Sequence, residues 1–102
     1  MPTIWIPNAS THDFTAAEKY GDLYFLSSGK INRFATSKYY RDFADAMKNS
    51  SKDDFLLTTG LTVLNIIATA ILISKHGQIN LLIFKTQKGQ KSYLERIIKI
   101  NE

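Results

Sequence analysis

The chain contains 102 residues, of which 44% are hydrophobic and 22% are charged. A chain of this length and composition is expected to form one domain, residues 1–102, with an apolar core, and wholesale disorder is excluded. The absence of cysteine excludes disulfide scaffolds, thiolate zinc sites and cysteine catalysis. The net charge of +4 is compatible with an anionic ligand but does not by itself indicate one.

Two short apolar runs, residues 3–6 and 23–26, predict the first two strands. Between them, Thr15 and Glu18 match a capping box, in which a hydroxyl and a carboxylate satisfy free backbone N–H groups at the start of a helix. The helix that they predict is short, because Gly21 follows as an expected left-handed C-terminal cap.

A second helix is predicted to begin near Asn32 or after Thr36 and to run out in the polar loop that starts at Lys48. Its apolar face contains residues at helical spacing: Tyr39, Tyr40, Phe43, Ala44 and Met47. Basic and polar residues recur at roughly helical intervals opposite that face: Lys30, Arg33, Ser37, Arg41 and Lys48. This basic stripe makes nucleic-acid binding one alternative, although Asp42 and Asp45 interrupt it and a solvated helix face also explains it.

The most apolar part of the chain, residues 53–85, predicts a strand, a tight turn, a buried helix and a second strand. The first strand covers residues 55–57, and a Thr-Thr-Gly turn separates it from a helix over 61–74. The next strand covers residues 79–84, after a polar segment in which Gly77 ends the helix. This order is a βαβ unit with a parallel pair of strands.

The last segment predicts a hairpin, because residues 86–90 are too short for a crossover and contain Gly89. Residues 93–100 are then an antiparallel edge strand, with a C-terminal helix as the alternative. The predicted order is β-α-β-α-β-α-β-β. It corresponds to an α/β fold, a small three-layer (Rossmann-like) sandwich whose sheet is mostly parallel and has an antiparallel C-terminal edge strand.

Residues 55–74 carry no charge and have the length of a membrane span, so a spanning segment is the alternative to a buried strand and helix. The Thr-Thr-Gly turn divides the stretch and leaves a helix that is too short to span a membrane. The first ten residues also lack the basic and apolar regions of a secretory signal. We therefore expect a cytoplasmic protein that does not insert in a membrane.

Small polar residues follow each of the first three strands, where helix N-termini and parallel strand ends meet at one edge of the sheet. Backbone N–H groups and hydroxyls at such an edge suit a phosphate, and basic side chains would supply counter-charge. The predicted ligand-binding residues are Asn8, Ser10, Thr11, Ser28, Gly29, Lys30, Arg33, Thr58, Thr59 and Gly60. Caps and turns require the same residue types, and no loop matches a nucleotide-binding fingerprint.

His12 and Asp13 form the only adjacent pair of a histidine and a carboxylate, just past the first strand. His12 is therefore the candidate acid or base, with a solvated loop residue as the alternative. His76 is expected to have a structural role at a helix C-terminus. With two histidines on opposite edges, no metal site is predicted, and no cofactor is implied.

The sequence leads to one main hypothesis and two alternatives. The main hypothesis is a small domain that binds a nucleotide or another phosphorylated molecule at the strand ends and, if it is an enzyme, cleaves it with His12. The first alternative is an interaction or accessory protein, including a virus-encoded one, that works through a homodimer or a host partner. Whatever the function, the uncharged helix over 61–74 predicts a homodimer. That helix carries only a small polar stripe: Thr62, Asn65 and Thr69. The second alternative is the nucleic-acid binder.

Overall fold

The computed structural model describes residues 1–10 and 12–100. Within these residues the chain forms a compact α/β fold with a five-stranded mixed sheet and three helices. The elements are β1 (Thr3–Ile6), a 3₁₀ helix (Thr15–Tyr20), β2 (Asp22–Phe25), α1 (Thr36–Ala46), β3 (Phe55–Leu57), α2 (Thr62–His76), β4 (Gln78–Gln87) and β5 (Gln90–Lys99). This is the predicted order of strands and helices.

The strands lie in the order β2-β1-β3-β4-β5. The four strands from β1 to β4 pair in parallel, and β5 runs antiparallel to β4. The parallel sheet and its antiparallel edge strand are therefore as predicted. Strand order was the part that the sequence did not supply, because it depends on which strands pair across long sequence separations.

Alternation along the strands divides the core between the two faces of the sheet. On one face, Trp5 and Leu56 pack against α1 and α2 through residues such as Phe43. On the other face, Ile4 and Leu82 lie in a second cluster. That second cluster is covered by the 3₁₀ helix, whose contributions are Ala16, Ala17 and Tyr20.

The longest helix, α2, begins after the strand-end turn and ends where the sequence predicted. Gly77 follows it with φ 71° and ψ 5°, a left-handed conformation that costs glycine little, and its N–H donates to the carbonyl of Ile73 at 2.9 Å. Lys75 extends from the last turn to donate to the carbonyls of Met47 and Lys48. The C-terminal end of α2 is thus tied to the end of α1. No helix among residues 1–10 and 12–100 is long and apolar enough to cross a membrane.

The first helical segment differs from the prediction in three ways. It is a 3₁₀ helix, and no capping box forms, because Thr15 donates both its N–H and its hydroxyl to Asp13. Gly21 is extended, with φ 163°, and is not a left-handed cap. It is glycine because a Cβ atom there would lie 2.2 Å from the carbonyl oxygen of Pro2. Glycine is needed for close approach of the chain where β1 and β2 begin.

The basic stripe predicted along the second helix is wrong, because α1 is shorter than the stripe. It contains Arg41 but not Lys30, Arg33 or Lys48, which lie in the flanking loops. Another cation of α1, Lys38, forms an ion pair with Asp42 at 3.0 Å. The helix therefore lacks the continuous basic face that a nucleic-acid backbone would follow.

The hairpin between β4 and β5 is confirmed, and the alternative of a C-terminal helix is wrong. Gln87 pairs with Gln90, so Lys88 and Gly89 form a two-residue turn. Both have positive φ, 52° and 79°, the conformation of a type I′ turn. The strands reach farther into the polar flanks than the predicted ranges 79–84 and 93–100, because this turn keeps the ladder in register to its tip.

Candidate ligand-binding site at the strand ends

Three loops converge at the carboxyl ends of the parallel strands. The N–H of Leu26 donates to the carbonyl of Ile6 at 2.8 Å, and the N–H of Ala9 donates to the carbonyl of Ser27 at 2.7 Å. These bonds continue the pairing of β1 and β2 past the ends of both strands. The loop after β3 lies on the other side of β1, so the polar segments that the sequence singled out share one edge.

An aromatic cavity of about 320 Å³ opens at this edge, and we call it the aromatic chamber. Its lining residues are Ser10, His12, Phe14, Leu57, Thr58, Thr59, Gly60, Phe84 and Tyr93. The His12 ring lies edge-on to Phe14 and Phe84, with ring centres 5.0 and 4.9 Å apart. Phe84 in turn lies 5.6 Å from Tyr93. The volume falls within the range of small-molecule sites, and the walls suit a planar group.

His12 and Tyr93 place two titratable groups in the aromatic chamber. The Nε2 atom of His12 lies 3.5 Å from the Tyr93 hydroxyl, a long contact. Burial raises the pKa of Tyr93, and the nearby negative charge of Asp13 raises it further. The N–H of His12 donates to the Ser10 hydroxyl at 3.1 Å, which fixes the loop backbone while the imidazole stays exposed.

Asp13 bonds to Thr15 and does not form a hydrogen bond with its neighbour His12. Its carboxylate accepts two hydrogen bonds from Thr15, and these bonds are the main reason that the pKa of Asp13 is lowered. Lys91 and His12 lower that pKa further through their charges. The carboxylate therefore caps the 3₁₀ helix, and the adjacency of His12 and Asp13 in the sequence does not produce a hydrogen-bonded acid–base pair.

A second cavity, of about 510 Å³, adjoins the aromatic chamber and shares three of its lining residues. It is lined by Asn8, Ser10, Gly29, Ile31, Thr59, Gly60 and Leu61. The turn at its centre is held by Asn65, whose Oδ1 accepts from the Thr59 N–H at 3.1 Å and whose Nδ2 donates to the Thr59 carbonyl at 2.6 Å. The Thr59 N–H is thus already used, and the turn is rigidly positioned.

A third cavity, of about 200 Å³, continues the groove to the start of α2, and we call it the cationic end. It is lined by Ile31, Arg33, Gly60, Leu61, Thr62, Val63 and Leu64. Arg33 therefore lies beside the first turn of α2. Leu61 precedes that turn and supplies no side-chain hydrogen bond to cap it. A guanidinium and the positive end of a helix dipole together favour an anion.

The predicted ligand-binding residues divide into those that line the groove and those that do not. Seven of them line at least one of the three cavities: Asn8, Ser10, Gly29, Arg33, Thr58, Thr59 and Gly60. Asn8 is nevertheless largely buried, and its Oδ1 accepts from the Ser27 hydroxyl at 2.9 Å. Ser28 and Lys30 do not line these cavities, and Thr11 lies outside the described residues.

The aromatic walls are the part of the site that the sequence analysis missed. Phe84 and Tyr93 face each other across the hairpin, and Phe14 reaches them from the loop after β1. They were interpreted only as parts of strands and loops. The signal that would have found them is the register of the hairpin, because Phe84 and Tyr93 pair directly once the two-residue turn at Lys88 and Gly89 is assigned.

The predicted structural role of His76 agrees with its position at the other edge of the sheet. Its Nε2 atom lies 2.9 Å from the Ser50 hydroxyl, in the loop that follows α1. Together with Lys75, it connects the end of α2 to that loop. None of the three cavities reaches it.

Comparison with known proteins gives one family. A family model described as phage Pam3 gp32-like protein matches residues 5–100 of the chain. The chain belongs to the phage Pam3 gp32-like protein family. The match extends from within β1 to the residue after β5, so it includes both the aromatic chamber and the cationic end. Neither the curated proteins nor the solved structures gave a match.

Membership of the phage Pam3 gp32-like family bears on the alternatives that the sequence left open. The family's description refers to a phage protein, which agrees with the expectation of a small virus-encoded protein. The description names no ligand, reaction or partner, so the function is argued from the geometry of the groove.

Proposed function

We propose that this member of the phage Pam3 gp32-like family binds a nucleotide in the groove along its strand ends. The observation that carries the proposal is that three neighbouring cavities at the strand ends share Gly60 as a lining residue. An aromatic chamber lies at one end of this groove and Arg33 at the other. A nucleotide has the matching distribution of a planar base and an anionic phosphate.

The base is assigned to the aromatic chamber. Phe14, Phe84 and Tyr93 provide faces and edges against which a planar ring can stack, and base–aromatic stacking contributes about 1–3 kcal/mol. The sugar would then lie along the middle cavity, within reach of the Ser10 and Thr59 hydroxyls. Because Asn65 already holds Thr59, little conformational entropy is lost at this turn on binding.

The phosphate is assigned to the cationic end. Arg33 supplies a bidentate donor there, and the first turn of α2 supplies backbone N–H groups. Binding of a phosphate at a helix N-terminus after a parallel strand is the mode that nucleotide-binding α/β folds commonly use. A cytoplasmic location fits a nucleotide ligand and remains part of the proposal.

His12 has a conditional role in this proposal. If the ligand contains a scissile phosphodiester or glycosidic bond, the imidazole of His12 is the group in the aromatic chamber that would act as general acid or base. The contact with Tyr93 would orient the ring through Nε2.

The test is a thermal-shift screen of the wild-type protein with nucleoside monophosphates, the matching nucleosides, cyclic nucleotides, sugar phosphates and inorganic phosphate. A ligand at a hundredfold excess over its dissociation constant should stabilise the fold by about 2.7 kcal/mol. That corresponds to a rise in Tm of roughly 10 °C or more for a domain of this size. Nucleotides should give the largest shift, nucleosides a smaller one.

Matched variants separate the two ends of the groove. Arg33→Gln should weaken the binding of nucleotides about tenfold and leave the binding of nucleosides unchanged, because the exchange removes one charge-assisted contact to the phosphate. Phe84→Leu should weaken the binding of nucleotides and of nucleosides, because the base loses stacking against the Phe84 ring. Arg41→Gln, on the exposed surface of α1, is the control and should change neither. Absence of a shift with every compound would overturn the proposal.

A second candidate function is self-association through α2, as an interaction protein. The exposure of Ile66 favours this function. Its side chain is 60% accessible to solvent, and it lies on a helix whose only basic residues are in the last turn. Around it lies a shallow apolar depression of about 380 Å³ formed by Thr62, Asn65, Ile66, Thr69, Ala70 and Ile73. Asn65 is turned toward Thr59, so the surface available for such a contact is more apolar than the sequence suggested.

A further inference from the structure

β5 is an outer strand of the sheet, and its backbone groups alternate between facing β4 and facing away. The closing pair of the type I′ turn, Gln87 and Gln90, shares a hydrogen bond, so every second residue from Gln90 onward bonds to β4. Ile100 continues this series, because its N–H donates to the carbonyl of Gly77 at 3.0 Å. The intervening residues direct their N–H and C=O groups outward: Lys91, Tyr93, Glu95, Ile97 and Lys99.

Two side-chain contacts define how much of this outer edge is covered. The Tyr20 hydroxyl donates to the Tyr93 carbonyl at 3.2 Å, so the 3₁₀ helix blocks the edge at that point. The Arg96 guanidinium folds back onto the outward carbonyl of Glu95 at 2.7 Å. No comparable group covers Ile97 or Lys99 in the part of the chain that the structure describes. The open edge is therefore residues 95–99.

Four large apolar side chains on and beside this open edge are exposed to solvent. Leu94 is 36% exposed, Ile97 51%, Ile98 49% and Ile100 58%. Sheet edges that remain exposed normally carry short strands, charge or proline, because an apolar edge is a template for pairing with another chain. β5 carries charge at Glu95, Arg96 and Lys99, but it is a ten-residue strand without proline and it exposes two isoleucines between those charges.

We propose that a second copy of the chain pairs with this edge, β5 against β5, antiparallel about a two-fold axis at Ile97. The two sheets then join into one continuous sheet. Ile97 exchanges backbone hydrogen bonds with Ile97 of the second copy, and Glu95 does so with Lys99. The two-fold axis lies at the centre of the open edge, where Tyr20 does not interfere.

Charge favours this register over the two in which the axis lies at Arg96 or at Glu95. With the axis at Ile97, Glu95 lies directly opposite Lys99 of the second copy, and this pair occurs twice. On the same arrangement Leu94 lies opposite Ile100, so the exposed apolar residues bury one another. Moving the axis to Arg96 places Arg96 opposite itself, and moving it to Glu95 places Glu95 opposite itself. Like charges directly opposite are destabilising.

The side chains of Glu95 and Lys99 are both available for this pairing. Both side chains are exposed, and neither forms an ion pair within residues 1–10 and 12–100. Only the backbone carbonyl of Glu95 is engaged, by Arg96. A carbonyl has two lone pairs, so it can accept the N–H of Lys99 from the second copy without losing the guanidinium.

The test is sedimentation equilibrium of four full-length proteins over a wide concentration range. Wild type should show a monomer–dimer equilibrium. Glu95→Lys and Lys99→Glu should each weaken dimerisation about tenfold or more, because two opposite-charge pairs become like-charge pairs. The double exchange Glu95→Lys with Lys99→Glu should restore the wild-type dissociation constant. Both substitutions are at exposed positions, so folding is retained.

The restoration in the double variant is the decisive result. A wild-type protein that is monomeric at every concentration, or a double variant no tighter than the single ones, would overturn the pairing. Ile66→Lys distinguishes it from association through α2: this variant should dimerise like wild type. A monomeric Ile66→Lys protein would instead assign the dimer to α2.

A backbone variant gives independent support. Ile97→Pro removes an outward N–H and leaves the hydrogen bonds to β4 intact, as edge strands tolerate. It should be folded by circular dichroism and at least tenfold weaker as a dimer. A folded Ile97→Pro protein with the wild-type dissociation constant would contradict pairing through this backbone.

Discussion

The buried carboxylate of Asp54 organises the edge of the sheet opposite the groove. It accepts hydrogen bonds from the Trp5 indole at 3.0 Å, the Thr3 N–H at 3.0 Å and the Ser51 N–H at 2.9 Å. These bonds join the start of β1 to the loop before β3, two strands that are neighbours in the sheet.

Asp54→Ala should lower the free energy of unfolding by about 3 kcal/mol, because it leaves the buried Trp5 indole and the partly buried Thr3 N–H without partners. The measurement is urea denaturation followed by tryptophan fluorescence. Asp53→Ala, at the exposed neighbouring position, is the matched control and should change stability by less than about 0.5 kcal/mol. Equal effects for the two variants would mean that the network contributes little.

Tyr93 makes the fold sensitive to alkaline pH. Because burial raises its pKa, the folded chain holds the phenolic proton more tightly than the unfolded chain does. The resulting stabilisation is complete below the unfolded pKa of about 10 and is lost as pH rises through the folded pKa. Between about pH 8 and pH 11, Tyr93→Phe should therefore lose less stability than wild type, measured by urea denaturation. Exposed Tyr40→Phe should follow wild type, and if it instead resembles Tyr93→Phe, ionisation of Tyr93 is not responsible.

At the scale of elements, the hairpin β4–β5 shows how a local signal fixes a long-range arrangement. The type I′ turn at Lys88 and Gly89 sets the register of ten residue pairs. That register places Phe84 beside Tyr93 in the aromatic chamber and directs Ile97 to the open edge. One turn therefore determines both the wall of the proposed ligand site and the proposed surface of self-association.

Lys88→Asn should stabilise the protein by about 0.5 kcal/mol, because asparagine adopts positive φ more readily than lysine and Asn-Gly is the preferred type I′ pair. Lys85→Asn, in the extended part of β4, removes the same charge and should be neutral or slightly destabilising. Thermal unfolding of the two variants beside wild type gives the comparison. A rise in Tm for Lys85→Asn as large as that for Lys88→Asn would indicate an effect of charge.

At the scale of the whole molecule, stability should decrease from the centre of the sheet toward the groove. β3 pairs with β1 on one side and with β4 on the other, and the side chain of Leu56 in this strand is fully buried. By contrast, the loop over 27–35, which contains Arg33, is mostly exposed. A groove lined by such a loop can close on a ligand at low cost.

Hydrogen exchange followed by mass spectrometry should show this gradient. Peptides from β1 and β3 should exchange slowest, by global unfolding, and peptides covering 27–35 should exchange within the shortest labelling times. The nucleotide that gives the largest thermal shift should slow exchange in 27–35 and in the turn before α2. Slow exchange in 27–35 without ligand would contradict a mobile margin of the groove.

The sequence by itself determined the number and order of the strands and helices, although not that the first helix is a 3₁₀ helix. Apolar runs, the Thr-Thr-Gly turn, Gly77 and the hairpin glycine are local signals, and local backbone preferences are sufficient to interpret them. It also located the edge where polar loops meet, because the carboxyl ends of parallel strands share one side of a sheet. The same local patterns misled at Thr15 and Gly21, where Asp13 and Pro2 decide the geometry.

Only the tertiary structure decided which side chains meet. Strand order, the pairing of Phe84 with Tyr93 and the position of Arg33 beside α2 depend on contacts between distant segments, which periodicity does not encode. The same is true of the open edge at Ile97, since its exposure follows from the place of β5 at the edge of the sheet and from the fact that Tyr20 covers that edge only at Tyr93. Burial and register are properties of the packed chain, and the composition of a functional surface follows from them.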